Sequence, residues 1–329
     1  MAKQLKLYSE NNTINNTRSN KKTRPLKDYE VDLGDRGIYN CKNKLNDLTG
    51  TEWLYFLNSV WMTSLQKDPY LMELLQYLKY SVIETKYPTS GKSSIGHNFR
   101  KQHPSPKPPQ LMAELIKFFT KEGESILDPF MGVGGTLIGA SLLENRSAVG
   151  IELEQRYIDI YETVSIQEGI KKQETICGDS NNILKFKQLK NRTFDLILTD
   201  PPYANMLSRK RTGGDRKDKG SFTDKENDLG NMNFKKYLLR LRIIINKSSK
   251  LLKNNGYIVI FCKDLQPTPE YNGFLHNDIV NSITKIPGIY YKGYKIWYDK
   301  TLNLYPYGYP FSYVSNQLHQ FILIFRKEL

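Results

Sequence analysis

The chain has 329 residues, 39% of them hydrophobic and 12% aromatic, enough to bury one large core or two modest ones. Its 48 Lys and Arg against 34 Asp and Glu give a net charge of +14, a balance that favours polyanionic partners without naming one. No run of about eighteen apolar residues is present, and the start MAKQLKLYSENN has no apolar secretory segment, so a cytoplasmic protein without a membrane partner is expected.

Residues 1–24 are rich in Lys, Arg, Asn and Thr with little apolar periodicity, which predicts a basic flexible arm, extended here to residues 1–35. From Leu45 to about Tyr87 the spacing is helical, in TEWLYFLNSVW and then PYLMELLQYLKY, so residues 36–97 are expected to form a helical amino-terminal region. A Pro-rich, basic stretch, PTSGKSSIGHNFRKQHPSPKPPQ, reads as extended chain. After it LMAELIKFFTKEG predicts an amphipathic helix. From Ser125 onward the strands SILD, SAVGIE, ETICGD and FDLILTD alternate with the helices LIGASLLEN and QRYIDIYETVSIQEG. That alternation predicts βαβ units and a parallel sheet. A polar loop over 204–232 precedes a helix in which Phe234, Leu238, Leu241, Ile245 and Leu252 share a face, with Gly256 as its stop. GYIVIFCKD, KGYKIWYDK and HQFILIFRK are further strands, the last two separated by an aromatic loop over 298–318. Cys41, Cys177 and Cys262 are far apart and lack CxxC spacing, so free thiols are expected and no metal site.

Three acids and a glycine turn fall in register after these strands. LDPFMGVGGT places Gly132, Gly134 and Gly135 between a strand and a helix, where close backbone approach and positive φ are available, and it lacks the GK[ST] of a P-loop. Glu152 ends the next strand about twenty residues on, the place from which an acid takes ribose hydroxyls in dinucleotide folds. Asp179 in CGDS follows the third strand and could accept from an adenine amino group. These features suit an adenosine with a small charged tail and leave NAD open. TDPPYAN follows a fourth apolar strand. There the Asp200 carboxylate and the Pro201 carbonyl form an acceptor cluster without intervening NH donors, Pro202 stiffens it, and Tyr203 offers a ring. Two acceptors on the hydrogens of an exocyclic amine would pull its nitrogen toward tetrahedral geometry and free its lone pair, and that chemistry argues against NAD.

With these motifs in order, the chain resembles the amino-group DNA methyltransferases, which transfer a methyl group from S-adenosylmethionine to adenine N6 or cytosine N4. The resemblance spans about residues 98–329 and takes that segment as the catalytic domain. It implies a Rossmann-like seven-stranded α/β sheet with helices on both faces, a flipped target base, and direct methyl transfer without a covalent enzyme intermediate. It implies Asp200, Pro201, Pro202 and Tyr203 as the catalytic tetrapeptide and Asp128, Pro129, Phe130, Gly132, Gly134, Gly135, Thr136, Glu152 and Asp179 as cofactor residues. Lys107 and Pro108, in RKQHPSPKPPQL, resemble the pair that closes over the methionine end. Within this resemblance DPPY accompanies adenine more than cytosine. In two respects the chain departs from the pattern. No large target-recognition domain separates the cofactor motif from DPPY, and the second glycine of GVGGT stands where many members carry Ser or Thr.

Double-stranded DNA is the expected partner, reached through the 204–232 and 298–318 loops, with Arg209, Lys210, Arg211, Arg216 and Lys217 as candidate phosphate contacts. In the second loop Tyr305, Tyr307, Tyr309, Phe311 and Tyr313 could offer rings to bases or pack on the core, and both readings stay open. The enzyme could be paired with a separate restriction endonuclease, and the alternatives to an adenine-N6 enzyme are a cytosine-N4 DNA methyltransferase, an RNA guanine-N2 methyltransferase and a catalytically silent DNA-binding subunit.

Overall fold

The computed structural model describes residues 25–65, 81–85, 96–203, 223–269, 271–299, 302 and 304–329. The basic arm over 1–24, the stretch PYLMELLQYLKY and the basic residues Arg209, Lys210, Arg211, Arg216 and Lys217 lie outside the described residues.

In chain order the elements are β1 (Glu30–Asp32), β2 (Ile38–Asn40), α1 (Gly50–Phe56), β3 (Val60–Leu65), β4 (Ser81–Thr85), α2 (His97–Arg100), α3 (Pro109–Phe119), β5 (Ser125–Asp128), α4 (Gly135–Ser141), β6 (Ser147–Glu152), α5 (Gln155–Gln167), β7 (Glu174–Cys177), β8 (Phe194–Thr199), α6 (Phe234–Ser249), β9 (Leu252–Cys262), α7 (Leu275–Ile283), β10 (Ile289–Asp299) and β11 (His319–Lys327). Apart from the β1–β2 hairpin, the strands among the described residues form one sheet in the order β4-β3-β10-β11-β9-β8-β5-β6-β7, in which only β11 runs against its neighbours.

The strands at the centre of this sheet carry apolar residues on both faces because both faces are covered. Period-two alternation divides them between two cores. Leu127, Ile197, Ile258 and Ile260 face a core built with Tyr237, Leu241 and Ile245 of α6 and Ile279 of α7. Ile126, Leu196, Leu198, Val259 and Phe261 face the other, built with Leu111, Leu115 and Ile116 of α3, Ile138 of α4 and Tyr161 of α5.

The expected seven strands, β5 to β11, are all present, and the sheet gains two more from the segment read as helical. The helix of TEWLYFLNSVW stops at Phe56, and Val60–Leu65 pairs in parallel with β10. Trp61 and Thr63 fit a pleated surface as well as a helix face, and β10 supplies the template that decides between them. Ile296 donates to the Ser59 carbonyl at 2.7 Å, and the buried Trp297 indole donates to Thr63 Oγ1 at 2.9 Å. The buried Lys295 ammonium donates to the carbonyls of Phe56 and Asn58, closing the end of α1.

Part of the expected arm is also ordered: Glu30–Asp32 pairs with Ile38–Asn40, and Arg36 holds the hairpin to α1 through two bonds to Glu52, at 2.9 and 3.1 Å. The helix expected to run to Gly256 ends at Ser249, and Leu252 already belongs to β9. Lys327 of β11 donates to the carbonyls of Ser249 and Leu252 at 2.8 and 2.7 Å, satisfying the helix end where the chain turns.

No helix among the described residues is long and apolar enough to cross a membrane. The three cysteines are unpaired, Cys41 and Cys177 exposed and Cys262 buried.

Candidate active site

The strand order reverses at β5, with β6 and β7 on one side and β8 on the other, and the crevice of such a sheet opens at the carboxyl ends of these strands. Along that edge the chain places Asp200 after β8, Asp128 at the end of β5, Glu152 at the end of β6 and Asp179 two residues after β7. All four line one cleft, together with Lys107, Pro129, Phe130, Gly132, Gly135, Thr136, Pro201, Pro202 and Tyr203. Of the sequence-derived site residues that are described, Pro108 and Gly134 are not among the lining.

Those two support the wall from behind. Pro108 is the residue before the first turn of α3, with Pro109 inside it, a start that wastes no NH group. Gly134 has φ +74°, and a Cβ there would come 2.2 Å from Tyr161 Cδ2 of α5. The departure from Ser or Thr at this position therefore follows from the Tyr161 ring packed against the turn. Gly132, at φ +51°, donates its NH to Glu152 Oε2 at 2.9 Å and so ties the glycine turn to the acid of the next strand.

Glu152 accepts a second backbone bond from Glu154 NH at 3.0 Å, yet burial pushes its carboxyl up to about 7. Asp128 is likewise raised, to about 6, by burial, although Thr199 Oγ1 and Phe130 NH donate to its Oδ1 at 2.7 and 3.0 Å. Asp179 accepts from Asn181 NH at 2.7 Å and from Asn227 Nδ2 at 3.0 Å. The Ser180 hydroxyl donates to the Pro129 carbonyl at 2.5 Å, fastening the turn after β7 to that after β5.

At the other end of the cleft the Lys107 ammonium meets Asp200 Oδ2 at 2.5 Å, and the Tyr203 hydroxyl donates to Asp200 Oδ1 at 2.8 Å. The lysine side chain is 4% exposed and the aspartate 15%, and the ammonium lies 5.6 and 5.8 Å from the ring centres of Phe261 and Trp297. The Arg100 guanidinium holds the Lys107 carbonyl at 2.7 Å, so both ends of this residue are fixed. Tyr203 is built into the core below the cleft, and burial, followed by the Asp200 charge, holds its phenol well above its ordinary value, as a neutral donor. Its hydroxyl thus fixes the carboxylate, a role the tetrapeptide alone did not show, while the residue also lines the cleft.

Sequence reasoning missed part of the lining. His103 and Tyr157 meet edge to face at 4.8 Å beside the glycine turn. The last part of the polar loop, with Thr223, Asn227, Asp228 and Leu229, returns to the cleft, where DNA contact was expected. Asn227 in a run of Asn, Asp and Glu gives no periodic signal, and its bond to Asp179 exists only once β7 and the loop meet. The aromatic loop gives the opposite outcome from core packing: Tyr309, Phe311 and Tyr313 are 81%, 93% and 92% exposed. Since β10 runs parallel to β8 and β9, this loop leaves the sheet at the edge that carries Asp200, and Gln266 and Gln317 bond its base to the segment after β9.

A glycine turn and acids in register after three successive strands, on a Rossmann-like sheet with one antiparallel strand, make a pocket suited to an adenosine-bearing cofactor, which in the family matched here is S-adenosylmethionine. The chain belongs to the DNA methylase family, whose profile matches residues 4–163 and 194–328. Among curated proteins it is 32% identical over 96 residues to a tRNA (guanine(10)-N2)-dimethyltransferase of Pyrococcus abyssi, covering 29% of this chain and 28% of that one. It is 44% identical over 59 residues to the type II methyltransferase M2.DpnII of Streptococcus pneumoniae, covering 18% of this chain and 22% of that one. These matches thus span less than a third of either relative. Among solved structures TrmN from Thermus thermophilus aligns with a TM-score of 0.45 at 11% identity, over 84% of this chain and 77% of that one.

The donor set fits the cofactor. Acceptors at Glu152 and Asp179 suit ribose hydroxyls and an adenine amine, and Gly135, where a Cβ would come 3.1 Å from the Lys107 carbonyl, keeps the wall thin between the glycine turn and Asp200.

Proposed function

We propose that this protein methylates the exocyclic amine of a flipped base in double-stranded DNA, with adenine N6 as the target. The observation that carries this reading is the Asp200 cluster: a carboxylate held by a buried ammonium and a buried phenol, at the mouth of the same cleft that holds the acids of the cofactor motif. When bound, S-adenosylmethionine supplies an electrophilic methyl group. Asp200 uses its remaining acceptor directions, together with the Pro201 carbonyl, to hold the two hydrogens of the amine and turn its lone pair toward that methyl group. Lys107 and Tyr203 fix both carboxylate oxygens in position before the base arrives. After transfer the nitrogen sheds a proton, which Asp200 can take in transit to solvent. No covalent bond to the enzyme is needed.

The base must leave the helix for this, since a paired amine is not free to meet a methyl donor. The exposed rings of Tyr309, Phe311 and Tyr313 suit bases left unstacked, and the basic 209–217 stretch would add phosphate contacts. DNA as substrate is supported by the family and by the likeness to M2.DpnII. The tetrapeptide DPPY favours adenine within the resemblance. The likeness to the Pyrococcus abyssi enzyme favours a second reading, guanine N2 in tRNA.

Expression of the chain in a host free of other methyltransferases, with sequencing of host DNA by a method that separates N6-methyladenine from N4-methylcytosine, tests the proposal. A motif carrying N6-methyladenine, absent with Asp200→Ala, is the expected result. N4-methylcytosine would correct the base, methylated tRNA guanine would establish the second reading, and unmodified nucleic acid in both would refute the activity.

A further inference from the structure

The returning segment 223–231 is fastened to the adenosine side of the cleft through Lys225 and Asn227. Lys225 pairs with Glu154 Oε1 at 2.9 Å and donates to the Leu153 carbonyl at 2.8 Å. Asn227 donates to Asp179 Oδ2 at 3.0 Å, and Asn231 closes the segment on itself through the carbonyls of Thr223 and Lys225. Between these anchors Asp228, 4% exposed, lines the cleft. Its Oδ1 accepts from Gly230 NH at 2.8 Å and caps the short turn Leu229–Asn231, while its Oδ2 is buried without a hydrogen-bond partner.

Capping explains only half of this side chain. One acceptor oxygen suffices for a cap, and Asn233, two residues beyond this segment, shows this by capping α6 with its amide oxygen. Asparagine at this position would serve the turn equally, without a buried charge. The carboxyl is raised by burial, partly offset by the NH groups of Gly230 and Thr223, and the acids Glu152 and Glu154 face it. Such a group is costly until something donates to it. The wall it belongs to already carries the acceptors Glu152 and Asp179, so an occupant of this end must present several hydrogens, as the hydroxyls and amine of an adenosine do.

Resting on the cofactor reading of Glu152 and Asp179, we infer that Asp228 is a third acid for the adenosine end of the cofactor, its Oδ2 accepting a hydrogen from a ribose hydroxyl or the adenine amine. The segment 223–231 is therefore a clamp on the cofactor.

Calorimetric titration of the full chain with S-adenosylhomocysteine and with 5′-methylthioadenosine, which lacks the amino-acid tail, tests this. Asp228→Asn keeps the oxygen that caps Gly230 and turns the other position into a donor. The expected result is an affinity loss of at least tenfold, equal for both ligands, with the melting temperature of the free protein unchanged or raised. Asp228→Ala is expected to lose affinity and to melt lower, because it also lacks the cap. Wild-type affinity in Asp228→Asn would overturn the inference, as would a loss confined to S-adenosylhomocysteine, which would place the carboxylate at the amino-acid tail. A wild-type chain that binds neither ligand would instead refute the cofactor reading itself.

Discussion

Replacing Glu152 with Gln should change the pH dependence of stability in a way that the geometry fixes in sign. Burial raises this carboxyl from 4.5 to about 7, so between those values the folded chain retains a proton that the unfolded chain has lost. Stability then falls as pH rises through this window, by roughly 1.4 kcal/mol per unit and about 3 kcal/mol in all. The amide introduced by Glu152→Gln cannot ionise, and denaturant unfolding at pH 4.5 to 8 should show this slope in the wild type and a flatter one in the variant. Asp128, raised to about 6, contributes to both proteins and cancels in the comparison. Cofactor binding should run the opposite way. A ribose hydroxyl donating to the ionised carboxylate favours the charged form, so affinity for S-adenosylhomocysteine should rise with pH through about 7 in the wild type. In Glu152→Gln it should be weaker by about tenfold to a hundredfold, the loss of a hydrogen bond to a charged group, and flat with pH. Parallel stability curves for the two proteins would refute the burial argument. Unchanged affinity would refute the contact.

Three other perturbations separate the remaining roles. Lys107→Met leaves Asp200 without its ammonium in a largely buried place, and it should lower kcat at least a hundredfold while leaving S-adenosylhomocysteine affinity within a few-fold. A rise in KM for the cofactor with kcat kept would return Lys107 to the methionine end of the cofactor alone. The double change Phe311→Ala and Tyr313→Ala removes two exposed rings, so the melting temperature should hold while DNA affinity in a gel-shift titration falls by about 1–3 kcal/mol for each ring that stacks. Thr63→Val leaves the buried Trp297 NH without an acceptor and should cost about 1–3 kcal/mol in urea unfolding, without altering cofactor affinity.

The elements around the cleft were legible because each is a short apolar run ended by a turn residue, and a run such as LILT, apolar on both faces, suits a sheet covered on both sides. The acids at their ends fall on one edge once that sheet is assumed. What the pattern left out is decided by contacts distant in sequence. Val60–Leu65 becomes a strand because Ile296 and Trp297, more than 230 residues later, present the edge it pairs with. Asn227 and Asp228 reach the wall of the cleft because Asp179 and Glu154 receive their segment. Neither event has a local period to betray it.

The tetrapeptide itself changes meaning in three dimensions. As a string, DPPY offers a free carboxylate and a free ring. Folded, both oxygens of Asp200 are already engaged, one by the Lys107 ammonium and the other by the phenol of Tyr203. On the proposed function the carboxylate takes the amine through its outer lone pairs, which restricts the angle of approach more tightly than a free side chain would. The acids at the adenosine end are held differently, with Asp128 and Glu152 raised by burial toward neutrality. One edge of the sheet thus carries two kinds of carboxyl: one paired with a buried cation, where the proposed function puts the amine, and two raised by burial, at the end where it puts the adenosine of the cofactor. Only the first needs a buried cation beside it, and the segment around the HPSPKPP motif is what brings that cation in.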